Sequence, residues 1–271
     1  MSEEVKSKNG NEEVLELYPV LPLRNTVLFP QQIIPIYVGR EQSLKLIDDL
    51  TLEERKYIVV VAQKDGALEN PKGDDLYDVG TLAMVMKVFD MPDKSKSAIV
   101  QGLERVQINT FTQDQPYYKG LVKKIPELID ENEELETIST NLKGIFSKLI
   151  SVAPYLSDDQ TAVLSKIENP GKVADKAVSL MNIATSEKQD VLNEMDLKKR
   201  LEKATIVVNR EIQRIELGEK IQSDVQDEIS KSQREYYLRE QLKAIQKELG
   251  EEGSGLEIEE LEEKIKSASM P

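Results

Sequence analysis

The sequence predicts an α+β fold: a β-rich N-terminal lobe, a helical-bundle lobe, then a long projecting α-helix. Three observations predict it. Residues 13–125 carry short β-branched runs bounded by Pro, Gly or Asp. After Pro126 the apolar period changes from 2 to 3.6. No proline falls between Pro170 and Pro271, and through much of that stretch apolar residues recur every three or four positions.

Residues 1–12 are polar and expected to be a disordered tail. VLELYPV, IIPIYVG and YIVVVAQK then read as strands. Between the last two, REQSLKLIDDL is a short helix by the spacing of Leu44, Ile47 and Leu50, and Thr51 with Glu54 has capping-box spacing. VGTLAMVMKVFDMP and SAIVQGLERVQINTFTQD form a long hairpin about a polar turn at Asp93–Lys96, and QPYYKGLVKKIP adds a strand. Pro22, Pro30 and Pro35 place the first strands at edges or bends. The expectation for 13–125 is about six strands and one short helix.

Residues 126–195 are expected to hold three or four short helices. Their starts are marked by Ser157 with Gln160, by Asn169 before Pro170, and by Ser186 with Gln189. Asp196 is a further N-cap candidate. From 196 to 250 the apolar positions Leu201, Ala204, Val208, Ile212, Ile215, Ile221, Val225, Ile229, Leu238, Leu242, Ile245 and Leu249 describe one long helix, interrupted only by Gly218. Such a helix is roughly 80 Å long, longer than either lobe, so part of it is expected to project and to need a partner for its apolar stripe. Residues 251–271 read as a Gly/Ser break and the start of another acidic helix.

Composition narrows the chemistry. The 271 residues carry a net charge of −14 and no cluster of Lys and Arg, which disfavours nucleic acid. There is no cysteine and no histidine, so disulfides, thiolate metal sites, His triads and His switches are excluded. No apolar run approaches the ~20 residues that span a bilayer, and the polar N-terminus does not read as a signal sequence. A cytoplasmic location with no membrane partner is expected. GxxxxGK[ST] is absent, because Gly171-Lys172 is followed by Val173; GxSxG and HExxH are absent too. Asp74-Asp75 and Asp158-Asp159 read as a solvated turn and a first helical turn rather than as cation sites.

Two stretches carry a functional expectation. Leu28-Phe29-Pro30 is an apolar tip between strands, either bend packing or an exposed protein contact. SQREYYLREQLKAIQKELGE, residues 232–251, supports an exposed helix through Glu235–Arg239 and Glu240–Lys243. Its Tyr236 and Tyr237 lie about 100° apart, so at least one of them is expected to face another chain or a client unless both cover helix stems.

LPLRNTVLFPQQIIPIYVGRE, DDLYDVGTLAMVMKVFDMPD, QGLERVQI and QREYYLREQLKAIQKELGE closely resemble the N-terminal region of the bacterial Lon family of ATP-dependent proteases, over about residues 15 to 250. Asn25 stands where the family often has an acidic residue, and Gln31-Gln32 where it often has His or Met. The resemblance implies a PUA-like pseudo-barrel, a helical lobe and a long helix leading to an ATPase module. It implies that this chain is a fragment with no cofactor of its own, while the parent uses ATP and Mg²⁺, carries a Ser–Lys dyad further on, and assembles as a homohexamer that removes misfolded, damaged and selected regulatory proteins. Unfolded proteins would then be the partners. Phe29, Pro30, Met91, Tyr236, Tyr237 and Glu240 are the candidate contacts, while Met84 and Met86 are expected in the core. The alternatives are a stand-alone adaptor of the same domain family and an RNA-binding pseudo-barrel.

Overall fold

The structure, a computed structural model, describes residues 14–127, 132–248 and 264. It divides into two units at Gln213/Arg214. In the first unit six strands form: β1 (Leu15–Leu23), β2 (Ile33–Val38), β3 (Tyr57–Ala62), β4 (Val79–Asp90), β5 (Lys96–Gln113) and β6 (Lys119–Ile125), with α1 (Glu41–Thr51) after β2. Their order is β2-β5-β4-β3-β1-β6, and β6 also pairs with β5. Five strands therefore close a ring, with β2 outside it against the first half of β5. Only β1 and β3 run parallel.

The run YIVVVA is continuously apolar because β3 is buried on both faces. Ile58 and Val60 join the cluster beneath α1, with Leu46, Ile47 and Leu50. Val59 and Val61 join a second cluster with Val106, Ile108 and Val122. The prolines sit as a missing N–H requires. Pro35 lies on the edge strand β2, and Pro22 lies where β1 pairs with β3 alone, β6 having stopped at Pro19. Thr51 does not begin a capping box. It is the last residue of α1, and its hydroxyl donates to the Asp48 carbonyl at 2.7 Å.

The helices are α2 (Glu133–Val152), α3 (Asp158–Ser165), α4 (Pro170–Leu180), α5 (Thr185–Leu192) and α6 (Leu197–Glu248). At 20 residues α2 is not short: it buries Leu135, Leu142, Phe146 and Leu149 along one face. Asn169 accepts from Lys172 N–H at 3.0 Å ahead of Pro170, and Asp196 accepts from Lys199 N–H at 2.9 Å, so both caps form. Ser186 is already inside α5, and Gln189 is fully buried, its amide donating to the Val79 carbonyl of β4 at 2.8 Å. A polar residue with capping spacing is spent here on joining two lobes.

The main joint is ionic. Arg105 of β5 donates from Nη1 and Nη2 to both carboxylate oxygens of Asp175 on α4, at 2.8 and 2.5 Å, and from Nε to the Leu192 carbonyl at 3.0 Å. Arg200 of α6 approaches the same carboxylate at 4.0 Å and donates to Glu127 at 2.8 Å and to the Glu194 carbonyl at 2.9 Å. Arg105, Asp175 and Arg200 are all buried. Burial pushes the Asp175 carboxyl above its ordinary value, and the Arg105 and Arg200 guanidinia oppose that push. Arg200, Leu201, Ala204, Val207, Val208, Glu211 and Ile212 bury the opening turns of α6.

The helix passes through Gly218 unbroken and, at 52 residues, is about 78 Å long. From Glu216 to Glu248 every residue is exposed. Leu217, Ile221, Val225, Ile229 and Tyr236 fall in one sector, whereas Leu238, Leu242 and Ile245 fall in another turned by about 120° at 100° per residue. The expectations for residues 1–12, Leu249 and 251–271 lie outside the described residues, apart from Lys264.

Removing one partner of a buried pair strands the other charge. Asp175→Ala should cost about 3–5 kcal/mol in urea unfolding, and Arg105→Met with Asp175→Leu should recover most of it. A single-variant loss below about 1 kcal/mol would mean the pair does not hold the lobes together.

Candidate functional site

The β4–β5 hairpin and β2 build an apolar face on the β lobe. Directly paired residues of antiparallel strands share a face. Across β2, β5 and β4 the rows are Tyr37, Ser97, Phe89; then Pro35, Ile99, Lys87; then Ile33, Gln101, Met84. The intervening Ile36, Val38, Ala98 and Val100 point to the core. Ile33, Tyr37, Met86, Phe89 and Met91 are each between 41% and 66% exposed. Met86 is not in the core as its position in an apolar strand suggests. With Ala83 and Val85 buried, alternation turns Met84, half-buried, and Met86 to the outer face, and the register shift between Val85 and Lys87 then puts Lys87 and Phe89 on that face too.

The hairpin end is held in shape. Lys94 adopts φ 67°, Met91 N–H donates to the Ser95 carbonyl at 2.9 Å, and the Asp93 carboxylate accepts from Ser95 N–H at 3.1 Å, Ser95 Oγ at 2.5 Å and Tyr37 Oη at 3.0 Å. The Ser95 bonds and then the Tyr37 bond hold the Asp93 carboxyl below its ordinary value. Lys96 ties the hairpin to Asp48 of α1, and Lys87 Nζ lies 4.7 Å over the Phe89 ring. Tyr37, Phe89 and Met91 are thus fixed around one turn.

The proposed tip at Leu28-Phe29-Pro30 is corrected. Leu28 and Phe29 are 2% and 1% exposed. The segment folds down because Gly102 admits it: a Cβ there would lie 2.3 Å from the Phe29 carbonyl oxygen. Gly102 exchanges backbone hydrogen bonds with Gln31 and Gln32 at 2.8 Å each, and Gln32 Oε1 accepts from Phe29 N–H at 3.1 Å. Pro30 is half-buried at a cleft with Arg200 and Leu197, away from the sheet face. Tyr236 and Tyr237 are 69% and 62% exposed, Gln241 donates to Tyr237 Oη at 3.0 Å, and Glu240 pairs with Lys243 at 3.0 Å; all belong to the second unit. Of the sequence candidates, Met91 alone stands on the sheet face. Ile33 and Tyr37 were missed because both parities of IIPIYV are apolar, so alternation gives no inside and no outside there, and Phe89 because the register shift between Val85 and Lys87 breaks the alternation of β4.

Neither acidic pair gathers a cation site: Asp74 and Asp75 lie in a single 3-10 turn and Asp158 and Asp159 in the first turn of α3. A nucleotide does not fit Gly171-Lys172 either. A Cβ at Gly171 would lie 1.9 Å from a Glu127 carboxylate oxygen, and the Lys172 N–H is already capped by Asn169.

Fold and surface together define a class of protein: a β pseudo-barrel locked to a helical lobe and presenting an apolar sheet face. The family model for the ATP-dependent protease La (LON) substrate-binding domain matches residues 17–210, and the chain belongs to that family. It is 39% identical over 269 residues to the Lon protease of Dictyoglomus thermophilum, covering 99% of this chain and 34% of that protein. It is 43% identical over 256 residues to the Lon protease of Koribacter versatilis, covering 93% and 31%. The N-terminal domain of Mycobacterium avium complex Lon protease shares the fold, with a TM-score of 0.58 at 18% identity over 73% of this chain and 98% of that one. The chain spans about a third of the length of the curated relatives it matches. Among the described residues no helix is long and apolar enough to cross a membrane.

Asp93 sets a pH dependence with a definite sign. Its folded value is lowered, so the turn's support is present above the ordinary aspartate value of 3.8 and is lost only as pH falls through the lower folded one. The Ser95 amide resonance should stay fixed from about pH 7 to about pH 5 and move only under stronger acid. Movement in the upper range would show that Asp93 does not hold the turn.

Proposed function

We propose that this chain is the client-recruiting part of an ATP-dependent serine protease, binding apolar segments that unfolded or damaged proteins expose. The observation that carries the reading is the exposed set Ile33, Tyr37, Met86, Phe89 and Met91 on a rigid sheet. Isolated apolar side chains are common on surfaces, whereas several gathered on one sheet face, here interleaved with Ser97, Lys87 and Gln101, mark an interaction surface. Thioethers and an aromatic pair adapt to varied sequences, which suits a recruiter of many clients. Family membership supports the same reading.

In this proposal nucleotide hydrolysis and peptide-bond cleavage belong to the longer protein, with its ATP, Mg²⁺ and Ser–Lys dyad, acting in the cytoplasm as a homohexamer. Several copies in one assembly raise a weak single-face affinity through effective concentration. The second part of α6, with Tyr236, Tyr237 and Glu240, serves assembly or client contact.

Ile33→Ser with Phe89→Ser should weaken binding of a fluorescently labelled unfolded protein by about ten-fold or more in anisotropy titrations, about 1.4 kcal/mol, with the unfolding midpoint little changed. An unchanged affinity removes the sheet face as the site. In the longer protein, Tyr236→Ala with Tyr237→Ala should impair client turnover or assembly and spare basal ATP hydrolysis. Intact turnover together with intact hexamer mass would exclude both roles.

A further inference from the structure

The Leu68 carbonyl oxygen accepts from three side chains at once: Gln63 Nε2 at 3.1 Å, Arg24 Nη2 at 3.2 Å and Arg40 Nη2 at 3.4 Å. A carbonyl oxygen has two lone pairs, so donors outnumber acceptors here. Arg40 also donates to the Oε1 of buried Gln63 at 2.5 Å. Among the described residues neither guanidinium forms an ion pair; the nearest negative influence on Arg40 is Glu69. Burial first, and the neighbouring Arg24 second, lower the Arg40 guanidinium from its ordinary value. Two guanidinia thus converge on one neutral oxygen with no counter-charge bonded to either.

The same place is the start of α1. Its N-cap, Arg40, supplies no side-chain cap, and the N–H groups of Glu41, Gln42 and Ser43 meet no acceptor among the described residues. Ser43 is only 7% exposed, and its hydroxyl makes no hydrogen bond to a described residue. Arg40 and Ser43 line two adjoining clefts of about 710 and 600 Å³, and Arg24 lines the second.

We propose that Arg24, Arg40, Ser43 and the N-terminus of α1 form a binding site for a phosphoryl group. Two forked guanidinia, a set of helix N–H donors and a hydroxyl outnumber what the two oxygens of a carboxylate accept, and they match the three terminal oxygens of a phosphoryl group. Glu41 and Glu69 also line these clefts, and their charge weakens the binding of any anion. The second cleft is also lined by Pro35 and Tyr37 of the sheet face, but Arg24, Arg40 and Ser43 are not part of that face, and the proposal does not depend on the client-recruiting reading. The phosphoryl group arrives either as inorganic phosphate or on a phosphorylated peptide.

The test is a ¹H–¹⁵N NMR titration of this chain at low ionic strength. The probes are sodium phosphate, sodium chloride of equal ionic strength, and a phosphoserine peptide with its unphosphorylated twin. Phosphate should produce saturable shifts at the Gln42 and Ser43 amides and the Arg24 and Arg40 Nε–H groups, and chloride should not. Arg24 is exposed, so Arg24→Gln should keep the remaining spectrum intact while weakening phosphate about five-fold or more. Ser43→Ala should weaken it by about two- to three-fold. If the phosphopeptide shifts these resonances and its twin does not, the source is a modified polypeptide. If inorganic phosphate alone does, the source is the free anion. Equal shifts with chloride, or an Arg24→Gln variant that binds phosphate as well as the unaltered chain, overturns the site.

Discussion

The bidentate bond between Arg105 and Asp175 is the constraint on which the first unit depends. A guanidinium and a carboxylate taken out of water are tolerable only when each satisfies the other, and here both are buried. The pair therefore fixes more than a distance. It sets α4 against β5, and the third Arg105 donor holds the end of α5 through Leu192. Arg200 then seats the beginning of α6 against the same carboxylate and against Glu127. Apolar packing among these helices supplies most of the burial, but it is non-directional. The ion pair is what makes one arrangement of the lobes cheaper than its neighbours.

Much of this was legible in the sequence. The change of period after Pro126 separates strands from helices, and the hairpin and the helical character of 196–249 follow from periodicity and the placement of Pro and Gly; that α6 runs on through Gly218 is shown only by the structure. What escaped was tertiary. Nothing local distinguishes Arg105 from any other strand arginine, because its partner lies 70 residues away. Gln189 and Thr51 carry capping spacing, yet the first is consumed by a β-strand carbonyl and the second closes a helix. The candidate site was legible only at Met91; the sequence pointed equally to Tyr236 and Tyr237, which lie in the second unit. Phe29 was misplaced because a Leu-Phe-Pro tip looks the same whether it points out or folds over a glycine; only the backbone of Gly102, in another strand, decides.

The sheet face and the barrel core use the same residue types, so inside and outside are separated by parity and by one register irregularity. The six-residue β2 presents Ile33, Pro35 and Tyr37 outward and Ile36 and Val38 inward. A one-residue slip of β2 would exchange the two sets. The Gly102 bonds to Gln31 and Gln32 at one end and the Tyr37–Asp93 bond at the other oppose that slip. The features that order the hairpin are thus the ones that decide which apolar side chains meet solvent.

Ser97 and Ile99, at the centre of that face, and Arg105, at the interlobe joint, all stand on the single 18-residue strand β5. Eight residues of extended backbone, about 26 Å, separate Ser97 from Arg105. Apart from one register irregularity at Leu103, the stretch is extended and paired, so it acts as a tie rod. A pull applied to anything gripped at the hairpin is delivered along β5 as tension, to a fork whose two prongs must let go together.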